Sequence, residues 1–264
     1  MDRIITGRHH GLEASSARAL HYILLQLLHS HFLLRNIKMP VSPPVIVFDL
    51  DGTLIDSAPD LLEAINHVLV QQGRRRVDLH EVHMMMGRGA VHLLGRGLEA
   101  TGGVPPEGVH ETVVESFLEY YEAHIAVHTR PFPGVVKTLA ALHEAGHRLA
   151  VCTNKMQHFA DKVLHELELG AFFEAVVGGG STGFYKPDPK HLGAVLEALG
   201  TGPDDAVMVG DSINDVAAAQ ALDMSVVVVS YGYSPEAVKN LGANKVIECF
   251  DSLPAVLEEL ASLS

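Results

Sequence analysis

Apolar positions along this chain follow two alternating rhythms. Short runs, Val45 to Phe48, Arg148 to Cys152, Ala175 to Val177, Ala206 to Val209 and Ser225 to Val229, are apolar almost throughout. That pattern predicts strands buried on both faces, as a parallel sheet requires. Between them lie longer segments with apolar residues at helical spacing, such as Pro133 to Ala145, closed by Gly146, and Pro189 to Leu199, closed by Gly200. Glycine accepts the left-handed conformation that ends a helix, so the pattern marks both stops. Regular alternation of the two predicts an α/β fold, a doubly wound parallel sheet covered by helices.

One interval breaks the alternation. Up to Pro131 no buried run follows the first strand, and Leu61, Leu62, Ile65, Val68 and Leu69 recur at helical spacing. Such a stretch is too long for an ordinary crossover. We read residues 57–130 as an inserted helical cap, entered at Ser57, which can N-cap a helix started by Pro59. The core is then 39–56 and 131–264, with a cleft between core and cap at the strand ends.

Composition narrows the partners. The chain has 264 residues, 47% hydrophobic and 19% charged, and a formal net charge of -13. With Arg74 to Arg76 as its main basic run, it lacks a nucleic-acid footprint and sustained attraction to anionic lipid. Two cysteines, Cys152 and Cys249, are too few for a disulfide framework, and a reducing cytoplasm fits them. Residues 1–38 differ, holding Arg3, Arg8, Arg18, Arg35 and Lys38 against Asp2 and Glu13. Their stretch Ala19 to Leu34 is apolar but broken by Gln26 and three histidines, short of a membrane span. Three readings stand: a start upstream of a true initiator at Met39, an amphipathic accessory helix, and a targeting segment. We favour the first, because a complete strand and motif follow Met39 closely.

In open α/β sheets ligands bind beyond the carboxyl ends of the strands. There the sequence places Asp49-Leu50-Asp51-Gly52-Thr53, then Thr153-Asn154, then Lys186-Pro187 and Gly210-Asp211-Ser212-Ile213-Asn214-Asp215. Asp49 and Asp51 are two residues apart, so an extended backbone points both to one side. With Asp211 they form a carboxylate cluster that cannot exist unpaired. A hard cation resolves it, and Mg²⁺ suits a few carboxylates plus water and phosphate oxygens. Lys186 and Thr153 add a charge and a hydroxyl for the same phosphate.

These four segments resemble the four signature motifs of the haloacid dehalogenase (HAD) superfamily: DxDGT, a Ser/Thr at the second strand end, a Lys before a proline, and GDSxxD. The resemblance covers residues 45–215 in the family order. It implies a Rossmann-like core with a helical cap, and a Mg²⁺-dependent phosphatase for a small phosphorylated metabolite. Asp49 would attack phosphorus, and Asp51 would protonate the leaving oxygen and later activate water. Thr53, Thr153, Asn154 and Lys186 would hold the phosphoryl group. The metal would be bound by Asp49, the Asp51 carbonyl and Asp211, with Asp215 in support. With an ordinary pKa of about 4, Asp49 should be ionised at pH 7. Asp51 must carry a proton in the first half-reaction, which its acidic neighbours favour. Asp51 also separates this chain from the dehalogenases, which lack it.

The cap segment Met86-Gly87-Arg88-Gly89 resembles the piece by which such caps reach the site, and Arg88 would pair with a substrate carboxylate. With the Tyr231-Gly232-Tyr233 loop, it makes the chain look most like phosphoglycolate phosphatases. Sugar phosphates, nucleoside monophosphates, pyrophosphate and a β-phosphoglucomutase-like transfer are the alternatives, and a non-catalytic scaffold would have lost the aspartates. Monomer and homodimer are both compatible. Arg74 to Arg76 read as a solvated run, Met84 to Met86 as cap core, the 17 histidines as incidental, and Gly178 to Ser181 as a flexible loop.

Overall fold

A computed structural model describes residues 45–104, 108–234 and 238–263. The expectations for residues 1–38 and the start at Met39 lie outside the described residues. Six parallel strands form one sheet in the order β5-β4-β1-β6-β7-β8. They are β1 (Val45–Phe48), β4 (Leu149–Met156), β5 (Ala175–Gly179), β6 (Ala206–Gly210), β7 (Ser225–Val229) and β8 (Lys245–Ile247). β1 and β7 lie where the apolar runs placed them. β8 is a short edge strand that the pattern did not reveal.

The central strands explain their own sequence. Ile46 and Phe48 of β1 point to one face and Val45 and Val47 to the other, and all four are buried. One face is covered by α5 (Val135–Glu144), α6 (Gln157–Glu166) and α9 (Leu253–Leu263), through Leu139, Val163 and Leu253 among others. The opposite face is covered by α7 (Pro189–Leu199) and α8 (Ile213–Gln220), through Leu192, Val195 and Val216. Helices on both faces bury every side chain of a parallel strand, so alternation is lost and the run is uniformly apolar. Gly200, at φ 62°, ends α7 as the sequence marked it.

Two further strands, β2 (Ile55–Asp56) and β3 (Arg130–Pro131), pair antiparallel. Four helices lie between them: α1 (Ala58–Gln71), α2 (Leu79–Met85), α3 (Ala90–Ala100) and α4 (Glu111–Ala123), called the cap below. Buried Asp60 of α1 accepts the His128 and Thr129 amides and the Thr129 hydroxyl at 2.7–3.0 Å, which fastens the outgoing chain to the incoming one. Among the described residues no helix is long and apolar enough to cross a membrane.

Several local expectations are corrected. Ser57 does precede α1, but its side chain makes no capping bond. Arg74 is not merely solvated: its guanidinium donates to the carbonyls of Leu98 and Gly103 at 2.7 and 2.9 Å, near the negative end of α3. Arg75 pairs with Glu81 and also reaches the Ala100 carbonyl. Only Met85 of the methionine triplet is buried. Gly178 and Gly179 are not a flexible pair either, since a Cβ on them would lie 2.6 Å from the backbone of Gln157 and Asn154. Close approach to the end of β4 is what excludes side chains there.

Candidate active site

The carboxyl ends of β1 and β6 bring the acidic residues together. Asp49 follows β1 directly, its amide bonded to the Val209 carbonyl of β6 at 2.9 Å, and Asp211 follows β6. Asp215 lies buried in the first turn of α8, where its carboxylate accepts the Ser212 amide and hydroxyl in a capping box. One carboxylate oxygen each of Asp49, Asp211 and Asp215 lies within 4.8 Å of the others. Lys186, from the loop before α7, donates to Asp215 Oδ1 and to the Cys152 carbonyl, both at 2.6 Å. Its Nζ also lies 2.9 Å from Asp49 Oδ1.

Three carboxylates facing one ammonium leave excess negative charge away from water. Burial pushes Asp49 up to about 6, with the Lys186 charge opposing and Asp215 adding to the rise. This corrects the expected ordinary value. Burial, then Asp215 and Asp49, raise Asp211 well above its ordinary value. Lys186 loses charge stability by burial but gains more from Asp215 and Asp49, so its pKa is raised and it stays cationic. The chemistry of the donor set therefore fits a hard divalent cation. Glycine shapes the corner: Gly52 has φ 87°, and a Cβ on it would overlap the Asp211 carboxylate.

Asp51 does not join that cluster. The chain already turns after Asp49, with the Thr53 and Leu54 amides bonded back to the Leu50 carbonyl, so the extended geometry expected of residues 49–51 does not persist. Asp51 Oδ1 accepts from Ser57 Oγ at 2.6 Å and from Lys155 Nζ at 3.0 Å. Its partners are thus a hydroxyl and a cation, not the carboxylates expected. Lys155 Nζ also meets the Tyr121 hydroxyl of α4 at 2.5 Å. Burial works against the Lys155 charge, but Asp51 and Tyr121 outweigh it and raise its pKa.

Thr153 is buried at the cleft, its hydroxyl accepting the Lys155 amide at 3.2 Å. Behind it, buried His191 contacts the Thr153 carbonyl through Nε2 at 3.0 Å and Thr182 Oγ1 through Nδ1 at 2.9 Å. A carbonyl cannot donate, so Nε2 carries the proton. This histidine is structural, not incidental. Thr53 is also buried, but its hydroxyl has no partner and does not line the cleft.

Cap and core enclose a cavity of about 330 Å³. The core contributes Asp49, Asp51 and Asp211 to its wall; the cap contributes Met84, Met86, Arg88, His92 and Arg96. The last three are four residues apart in turn and share one side of α3 and the loop before it. Burial, followed by the charges of Arg88 and Arg96, lowers the pKa of His92. Two core amides hold this segment, since Asn154 Nδ2 and Asn214 Nδ2 both donate to the Gly87 carbonyl, at 3.2 and 3.0 Å. Asn154 also brackets Lys186, accepting its amide and donating to its carbonyl.

Lys155, Tyr121 and His191 were not singled out in the sequence, and Ser57 was read only as a helix cap. A lysine immediately after Thr153-Asn154 was the one available signal. Tyr121 occupies a position that reads as ordinary helix core.

A family model described as haloacid dehalogenase-like hydrolase matches residues 46–229. The chain therefore belongs to that family, and it is an enzyme of the phosphatase type. More narrowly, it resembles phosphoglycolate phosphatases. That of Caulobacter vibrioides is 43% identical over 209 residues, 79% of this chain and 88% of that protein. That of Agrobacterium fabrum is 37% identical over 224 residues, 84% of this chain and 96% of its own length. A crystal structure described as a predicted phosphoglycolate phosphatase from Haemophilus somnus 129pt superposes with a TM-score of 0.76 at 28% identity, covering 83% of this chain and 99% of that one.

Proposed function

We propose that the protein hydrolyses 2-phosphoglycolate with Mg²⁺, through a phosphoryl group carried on Asp49. The observation that carries this reading is the make-up of the cavity wall: Asp49, Asp51 and Asp211 from the core, with Lys186 2.9 Å from Asp49, and Arg88, His92 and Arg96 from the cap. A phosphate ester bearing a carboxylate has two anionic ends and matches both. Two relatives named phosphoglycolate phosphatase at 37–43% identity support the same choice.

Asp49, Asp211 and Asp215, with the Asp51 carbonyl, would hold Mg²⁺. When bound, the ion neutralises phosphate oxygens and lowers repulsion between the two anions that must meet. In the first half-reaction an Asp49 oxygen attacks phosphorus, the bond to the leaving oxygen breaks, and Asp51 gives that oxygen its proton. In the second, Asp51 takes a proton from the attacking water, and phosphate leaves as Asp49 is regenerated. Lys186 and Thr153 hold the phosphoryl oxygens, and Asn154 positions Lys186. Arg88 pairs with the substrate carboxylate. A cytoplasmic setting is part of the proposal, supported by two unpaired thiols, Cys152 and Cys249.

The test is phosphate release across a panel of phosphorylated metabolites, with and without Mg²⁺. Phosphoglycolate should give the highest kcat/KM, and Asp49→Asn should lower release by more than about 10³-fold with an unchanged circular dichroism spectrum. A sugar phosphate or pyrophosphate turned over faster would replace the substrate; release that is independent of Asp49 would remove the nucleophile.

A further inference from the structure

Lys155 is a buried ammonium with no place in the reaction described above. It sits in β4, two residues beyond Thr153, with its side chain 4% exposed. Three contacts account for its head group: Asp51 Oδ1 at 3.0 Å, Asp51 Oδ2 at 3.3 Å and the Tyr121 hydroxyl at 2.5 Å. Nζ also lies 4.9 Å from the centre of the Tyr121 ring. Tyr121 belongs to the cap and Asp51 to the core, so Lys155 bridges them. Ser57, where the chain enters the cap, holds the same Asp51 oxygen from another direction at 2.6 Å.

We infer that Lys155 is a positioning residue: with Ser57 it fixes the orientation of the Asp51 carboxylate toward the leaving oxygen, and Tyr121 of the cap holds Lys155 in place. The inference rests on the role proposed for Asp51 as proton donor. A carboxylate whose two oxygens are both engaged by one ammonium, and one of them also by a hydroxyl, has little freedom to rotate. Proton transfer demands such restraint, because the donor oxygen must lie within hydrogen-bond reach of the oxygen it protonates. The lysine keeps its three protons throughout. The contact from Tyr121 also makes the arrangement complete only with the cap against the core, so proton donation is coupled to enclosure of the substrate.

The readout is dependence on the leaving group. An alkyl leaving oxygen needs the proton and an activated aryl one does not, so kcat/KM, which reports the first half-reaction and not the shared hydrolysis step, is compared on phosphoglycolate and 4-nitrophenyl phosphate. Lys155→Met should lower kcat/KM on phosphoglycolate about 100-fold, with little loss of kcat/KM on the aryl ester. Tyr121→Phe should move in the same direction by a smaller factor, and it serves if Lys155→Met does not fold. Lys155→Met in an Asp51→Asn background should cost nothing further on phosphoglycolate. Equal losses on both esters, or additive losses in the double variant, would overturn the positioning role. If Asp51→Asn itself shows no leaving-group dependence, the proton-donor assignment fails and the positioning role falls with it; dependence in Asp51→Asn but not in Lys155→Met overturns the positioning role alone.

Discussion

The Tyr233 hydroxyl donates to the Asp56 carboxylate at 2.6 Å, across 177 positions of sequence. The same oxygen accepts the Ser57 and Ala58 amides at 2.8 and 3.3 Å, while the Tyr233 amide donates to Asp211 Oδ2 at 2.7 Å. One residue thus ties the acidic corner to the chain entering the cap, and its ring stacks on His83 of α2 with centroids 5.0 Å apart. Tyr233→Phe keeps the ring and strands these polar groups. Unpaired groups at such a site cost about 1–3 kcal/mol. Urea denaturation should show that loss as a lower midpoint with unchanged slope; an unchanged midpoint would remove the hydroxyl from the structural account.

The raised carboxyls give metal binding a defined pH dependence. Asp49 moves from 3.8 to about 6, and Asp211 shifts the same way. Between these values the folded chain keeps protons that the unfolded chain has released, so the metal-free protein loses stability as pH rises through about 4 to 6. A bound Mg²⁺ would replace those protons. Its stabilisation should therefore be largest above pH 6, about 2.7 kcal/mol at a concentration a hundred times its Kd, and should shrink at pH 5. Thermal melts with Mg²⁺ or with chelator at pH 5 and 7.5 measure it. Asp211→Asn should reduce the gain at pH 7.5. A Mg²⁺ effect that ignores pH would contradict this account.

Arg88 should discriminate by charge. Arg88→Ala is expected to cost about 2–4 kcal/mol in transition-state binding of phosphoglycolate, roughly thirty- to a thousand-fold in kcat/KM, and little on an uncharged alkyl phosphate. Measured side by side, equal losses on both esters would make Arg88 structural. No loss on either would transfer the carboxylate to Arg96 or His92.

A chain starting at Met39 should keep activity and melting temperature. The sheet is satisfied by strands lying between Val45 and Ile247, each paired within that set. Residues 1–38 carry their own excess of basic residues. Aggregation of the shortened protein would show that their apolar stretch covers part of the fold.

The reactive groups were legible because strand ends concentrate them: Asp49, Asp211, Thr153 and Asn154 follow runs whose uniform apolarity betrays full burial. What escaped was built from pairs too short to show a period. β2 and β3 have two residues each, and their pairing joins positions far apart in sequence. β8 has three residues on an edge, with Val246 exposed. The partners of Asp51 were hidden for another reason. Lys155 extends β4 beyond its apolar run, and Tyr121 shares the helical spacing of Phe117, so neither is distinguishable from a surface charge or a core filler until the chain is folded.

Gly52, Gly210 and Gly232 crowd the carboxylates of Asp211 and Asp215 so closely that a Cβ on any of them would overlap those side chains. The smallest possible addition of mass would displace an oxygen at the reacting end of the cavity, although none of the three carries a functional group. The cap's contribution to the wall is unlike it, since Arg88 and Arg96 are exposed. Change in what the protein acts on is thereby channelled to one wall, and a laboratory search for new substrates would be best confined to α3 and the loop before it, leaving these glycines untouched.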